Sequence, residues 1–150
     1  MGDRTTVTLT ILTSQVAQAR PLFDDEPEYE DQNNLGLTEF VFYEVNYGNL
    51  QFLDQLQEAG IAYNSRWDSG SEFGSGCDYC RFTPDGGVIV KGISDDYINP
   101  SLDVLMEKID DYEALKKAIT SHHDQVSVLD WDNQEQYGKI YRTRQLIAPT

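Results

Sequence analysis

Residues 5–13 alternate between apolar and polar, with Val7, Leu9 and Ile11 on one side and Thr6, Thr8 and Thr10 on the other. That is the period of a half-buried β-strand. Ser14 can cap a short helical turn through Ala19, with Val16 and Ala19 inward, before Pro21 stops it. Residues 38–47, TEFVFYEVNY, are rich in aromatic and β-branched side chains and read as a central strand. Either Phe40 and Phe42 or Val41, Tyr43 and Val45 face inward. The period then changes: Leu50, Leu53 and Leu56 recur every third residue, with Phe52 and Ile61 nearby, while Gln51, Asp54, Gln55 and Glu58 face water. This predicts a short helix that begins at Asn49 and ends at Gly60, where glycine takes the left-handed cap without a Cβ penalty. Residues 61–67 follow as a strand.

Residues 77–83 and 88–93 are two more strand candidates, joined by Pro84-Asp85-Gly86-Gly87, the clearest hairpin signal in the chain. Asn99 before Pro100 predicts a helix start, with Leu102, Leu105, Met106 and Ile109 as its inner stripe. Asp110 and Glu113 have the spacing of a capping box, which predicts a second helix from Tyr112 to about His122 burying Leu115, Ala118 and Ile119. Residues 125–131 alternate as a late strand. The tail beyond Asp132, with Tyr137, Ile140, Tyr141 and Leu146 as anchors, reads as a weak strand. The order predicts a single α+β domain over residues 1–150. Its sheet is mixed but mainly antiparallel, with about five or six strands and about two to four helices packed largely on one face.

Charge changes the picture most. The 26 Asp and Glu outnumber the 11 Lys and Arg, for a formal net charge of −15. Even so, 39% hydrophobic and 11% aromatic residues are not the composition of a disordered chain. A domain of 150 residues buries about 68–70% of its unfolded surface and needs no staples. A strong negative field disfavours direct binding to nucleic acid or to an anionic membrane, so the natural partners are cationic. Residues 1–20 lack the basic start and apolar core of a secretory signal. No run approaches the roughly 20 apolar residues that span a bilayer, and a cytoplasmic protein is expected. Two cysteines fit a reducing compartment rather than a disulfide framework.

The candidate chemistry is sparse. Cys77-Asp78-Tyr79-Cys80 has the spacing of half a zinc site, and His122-His123 are the only histidines that can complete it. Those histidines are adjacent and 42 residues away, so no metal and no cofactor are expected. In a strand, residues three apart point to opposite faces, which predicts one buried and one exposed thiol rather than a redox pair. The segment DSGSEFGSG lacks the Lys and Ser/Thr of a phosphate loop and reads as a mobile connection. Phe73 within it is either tucked onto the core or offered to a partner. No nucleophile and base stand at catalytic spacing, and an enzyme is not expected.

The acids themselves are the better candidates. Residues 23–35 hold six acids, Asp24, Asp25, Glu26, Glu28, Glu30 and Asp31, with no base and no periodicity, which predicts an exposed acidic loop. Asp103, Glu107 and Asp110 or Asp111 fall at helical spacing, which sets successive carboxylates about 6 Å apart along the axis, a phosphate-like repeat. With Asp95, Asp96, Asp130, Asp132 and Glu135 they compose a surface that imitates nucleic acid to a basic groove. In composition the chain resembles the small acidic inhibitors that phages and plasmids direct against host nucleases and restriction or CRISPR systems, and also bacterial toxin-immunity proteins. That resemblance implies a DNA-mimic-like binding protein whose partner is the basic surface of a nucleic-acid-binding protein or complex. The alternatives are a small metal-dependent or hydrolytic enzyme using acids around residues 68–78, and an acidic adaptor.

Overall fold

The alternation that opens the chain becomes strand β1 (Arg4–Leu12), whose Val7, Leu9 and Ile11 are fully buried while the threonines between them stay partly exposed. In the computed structural model, which describes residues 3–147, β1 is followed by α1 (Val16–Ala19), β2 (Tyr29–Gln32), β3 (Leu37–Asn46), α2 (Leu53–Glu58), β4 (Tyr63–Trp67), β5 (Gly76–Phe82) and β6 (Val88–Ser94). The helices α3 (Leu102–Met106), α4 (Tyr112–Val126) and α5 (Gln134–Ile147) complete it. The strands form one six-stranded sheet in the order β2-β3-β1-β4-β5-β6, and every pairing is antiparallel. The fold is α+β. No described helix is long and apolar enough to cross a membrane.

Register decides which face becomes the core. Leu9 lies opposite Phe40 and Val7 opposite Phe42, so these phenylalanines join the row of β1. β3 carries one extra residue between Phe42 and Val45, where Glu44 takes a φ of 58°, and the bulge turns both Tyr43 and Glu44 to water. Phe23 packs its ring 5.1 Å from Phe40, 5.7 Å from Phe42 and 4.9 Å from Phe52. Ala19, Leu53, Leu56 and Tyr141 bring α1, α2 and α5 onto the same face.

α2 is shorter than its leucine pattern predicts. Residues 49–52 lie outside the helix, the last two as a turn, and still bury Leu50 and Phe52. Its end is as expected: Gly60 has φ 77°, its N–H donates to the Gln57 carbonyl at 3.0 Å, and the Ile61 N–H donates to the Leu56 carbonyl at 3.0 Å. This paired closure is a Schellman cap. Gly60 also meets α5, because a Cβ on Gly138 would fall on the Gly60 carbonyl.

The last third of the chain departs most from its sequence pattern. Residues 127–130 are irregular rather than a strand, and the tail is the helix α5. Neighbouring residues of β5 explain both. On the face away from the core, the buried Arg81 donates from Nε to the Leu129 carbonyl at 2.8 Å and from Nη1 to the carbonyls of Tyr63 at 2.9 Å and Cys80 at 3.1 Å. Its Nη2 donates to Asn64 Oδ1 at 2.7 Å, and the guanidinium lies 3.9 Å from the centre of the Trp131 ring. Next to it, β4 has ended, and the buried Gln134 takes the place of a pairing strand. Its Oε1 accepts from the Phe82 N–H at 2.7 Å and its Nε2 donates to the Phe82 carbonyl at 2.9 Å. Satisfying both groups places the first turn of α5 against the sheet, and Tyr141 then stacks on Phe82 at 5.0 Å.

Residues 95–126 form a limb beyond β6. Asn99 does not cap its first helix; α3 starts after Ser101, and Leu102, Met106 and Ile109 are exposed rather than an inner stripe. The cap of α4 falls on Asp111, not Asp110, with its carboxylate accepting from the Ala114 N–H at 3.1 Å. α4 runs past His122 to Val126; Leu115 and Ala118 are only partly covered, and Ile119 is exposed. Its C-terminal end touches the sheet face opposite the core, where Lys91 Nζ donates to the carbonyls of Asp124 at 3.2 Å and Ser127 at 2.9 Å.

Replacing Gln134 by leucine leaves a buried N–H and a buried C=O of Phe82 without partners, at about 1–3 kcal/mol each. Urea unfolding of Gln134→Leu is expected to show a loss of about 2–4 kcal/mol, with the exposed neighbour Gln136→Leu changing by no more than about 0.5 kcal/mol.

Candidate functional site

The first acidic segment is a strand edge rather than a loop throughout. β2 pairs with β3 through Tyr29 opposite Val41, Glu30 opposite Phe40 and Asp31 opposite Glu39, because β3 otherwise leaves its outer backbone groups without partners. Asp24, Asp25, Glu26, Glu28, Glu30 and Asp31 are all exposed. Alternation sends Glu30 to one face and Asp31 to the other, so the carboxylates fan around the edge instead of lying in one row. Asp24, Asp25, Glu26, Glu28 and Glu30, with Arg20, Phe23 and Tyr29, line an open groove of about 810 Å³. Glu30 is partly neutralised: Arg20 Nη2 donates to both of its carboxylate oxygens, at 2.9 and 3.1 Å.

The second acidic segment does not form the continuous ladder its spacing predicts. α3 closes at Met106 with Glu107 at its C-cap, Asp110 sits in the turn that follows, and Asp111 caps α4. Asp103, Glu107, Asp110 and Asp111 are exposed, but they spread over two helices and a turn. Nor are the two segments brought together. β2 is the first strand of the sheet and the limb leaves from the last. The inter-strand spacing puts the two edges about 24 Å apart.

Other acids have structural employment. Asp95 accepts from Ser75 Oγ and from Arg66 Nη2, each at 2.6 Å, and these bonds, the serine's first, hold its carboxyl below the usual carboxylate range. Asp130 accepts from the Asp132 N–H at 2.9 Å, at the turn leading to α5. Asp78 has no such help. It lies on the core-side face of β5 opposite Ser65 and Gly92, and burial pushes its carboxyl above the usual range. The adjacent Ser65 Oγ is buried without a hydrogen-bond partner.

The cysteines do point to opposite faces of β5, yet both are buried, because each face is covered at that point: Cys80 joins the main core and Cys77 lies opposite the buried Ile93. Burial raises the Cys77 thiol to about 11 and the Cys80 thiol to about 12, so both stay protonated near neutral pH. Among the described residues no three His, Cys, Asp or Glu side chains gather closely enough to hold a metal ion. His122 faces Tyr97 and its Nε2 lies 3.1 Å from the Ile98 carbonyl, inside the limb. The glycine-rich connection after β4 is tied down rather than loose. Trp67 Nε1 donates to the Gly74 carbonyl at 2.8 Å, the Glu72 N–H donates to Asp3 Oδ2 at 2.9 Å, and the half-buried Phe73 sits 6.3 Å from Tyr47.

Compared with known proteins, the chain matches no family model, no curated sequence and no solved structure. Its surface chemistry has to speak for itself. The feature that sequence periodicity misassigned is the apolar content of the limb, where residues spaced for a helix interior stand in water beside the acids.

The geometry sets two expectations. In the folded protein Ellman's reagent should leave both thiols unmodified at pH 8, and both should react once urea unfolds the chain. Asp78 carries a sign that can be worked out: with a folded-state pKa above the unfolded one, its contribution is intact below about pH 4 and is lost as pH rises through the folded value. Asp78→Asn is therefore expected to be more stable than the parent at pH 7, with the difference closing as pH falls below about 4; equal unfolding midpoints at pH 7 contradict the assignment.

Proposed function

We propose that this protein is an acidic binding protein that occupies the basic nucleic-acid-binding surface of a nuclease or defence complex and competes with the nucleic acid for it. The observation that supports this is where the charge lies. Of the ten acids in the two segments, Glu30 alone makes an ion pair among the described residues, while the rest present carboxylates to solvent on a chain of net charge −15. Such a field speeds encounter with a cationic groove and repels nucleic acid and anionic membrane alike. Apolar and aromatic side chains at the contact then fix the docked pose. The partner in this reading is cytoplasmic, and the inhibitor is of the kind that phages and plasmids carry against host nucleases. No catalytic step and no cofactor are assigned to the chain.

Competition has a measurable signature. A tagged form bound to its target from a bacterial lysate should be displaced by added duplex DNA, and its affinity should fall steeply as salt rises. Neutralising Asp24, Asp25, Glu26 and Glu28, or Asp103, Glu107 and Asp110, to the matching amides should weaken binding at least about tenfold and flatten the salt dependence. Unchanged affinity in both sets, or a complex indifferent to DNA, rules the mechanism out.

A further inference from the structure

The limb is an amphipathic element that buries nothing of its own. Neither α3 nor α4 has a buried residue, although α4 is 15 residues long. Leu102 is 71% exposed, Met106 52%, Ile109 56% and Tyr112 70%, with Ile98 and Val104 also in solvent. The attachments of the limb are polar: Asp95 to Arg66 and Ser75 where it starts, Tyr97 to Gln125 and His122 to Ile98 within it, and Lys91 to the carbonyls at its end. Large apolar side chains grouped on one element and left in water mark an interaction surface rather than ordinary scatter. Its first part is also one-sided in charge: residues 95–113 hold seven acids against the single Lys108.

These two properties together select the occupant. An anionic membrane is repelled by seven carboxylates, and a second copy of the same limb sets like charge against like on chains that each carry −15. We propose that residues 95–113 are the principal docking element, inserted into a protein groove that has an apolar floor and a rim of lysine and arginine. The inference rests on the acidic-binding reading above and goes further in two ways: it assigns the contact to the limb rather than to the β2 edge, and it requires the partner's groove to be apolar as well as basic. Leu102 and Met106 of α3 and Ile109 of the turn after it enter the floor as anchors, while Asp103, Glu107 and Asp110 meet the rim. The β2 edge offers exposed Tyr29 among its acids and supplies field more than buried area.

The test uses the intact protein and two labelled probes followed by fluorescence anisotropy at moderate salt. One is a leucine–lysine amphipathic helical peptide, which presents apolar and cationic faces together. The other is an oligolysine of equal charge with no apolar face. The parent should bind the amphipathic peptide at least about tenfold more tightly than the oligolysine. Leu102→Ser/Met106→Ser/Ile109→Ser changes only exposed side chains, so circular dichroism and the urea midpoint should match the parent. It should lose that preference while still binding oligolysine. Retained preference in this variant overturns the proposal. A preference lost instead through Glu28→Gln/Asp31→Asn overturns the placement on the limb and leaves the acidic-binding reading standing. Binding of neither probe by the parent overturns both. Sedimentation velocity at micromolar concentration should show a monomer; a dimer that the serine variant dissolves overturns the choice of occupant.

Discussion

Two adjacent residues of β5 hold the segment that leaves α4 and the helix α5 that follows it. Arg81 is a buried cation held without a buried carboxylate, its four hydrogen bonds all ending on neutral oxygens of Tyr63, Asn64, Cys80 and Leu129. Burial lowers its pKa from the usual arginine value, which measures the cost of stripping water from a charge. Guanidinium suits the position because its planar fork reaches several carbonyls at once and its face stacks on Trp131, which an ammonium cannot reproduce. Phe82 then engages Gln134 on the side where β4 has stopped. One residue therefore fixes the segment that leaves α4, and the next fixes the helix that follows it.

Acid is distributed so that the sheet tolerates it. Interior strands carry their acids outward or at their ends, and the β2 edge presents Glu30 and Asp31, which discourages another chain from pairing there. The opposite edge, β6, is the apolar one, with Ile89 and Val90 exposed, and the limb that leaves it brings charge back to that end. Asp78 is the exception: a carboxyl set among core-side residues, over a glycine at position 92 where a Cβ would meet it at 2.7 Å. Its row runs from Phe40 through Leu9 and Ser65 to Asp78, so the core-side face turns polar halfway across the sheet.

Local signals with their own chemistry were legible in the sequence. The Schellman glycine at position 60, the hairpin around Gly86 and the β1 alternation each depend on a few neighbouring residues, and each stands where the pattern placed it. The pairing of Arg81 with residue 129 and of Gln134 with Phe82 spans about 50 positions, and no local period encodes it. Gln134, Gly138 and Tyr141 do share a helical face, but it is marked by no apolar stripe and Gly138 lowers the helix propensity of the segment. Residues 125–131 alternate like a strand, yet α4 takes the first two of them and Arg81, on the sheet face, takes the Leu129 carbonyl. The limb misled in the other direction, since a leucine stripe at helical spacing describes equally a face turned to the core and one turned to a partner.

The same ambiguity bears on the acidic surface. A carboxylate row on a straight helix imitates a phosphate backbone only while the helix lasts, and α3 ends after five residues. What remains is a bent element whose acids point in several directions around exposed apolar side chains. A flat phosphate-lined strand of nucleic acid offers no such apolar centre. Under the proposed reading, competition at a basic groove is better served by shape and apolar contact at the limb, with the acids of the distant β2 edge adding to the long-range field that brings the two molecules together. On that proposal mimicry would lie in the field seen at a distance, while the contact itself would be that of one protein with another.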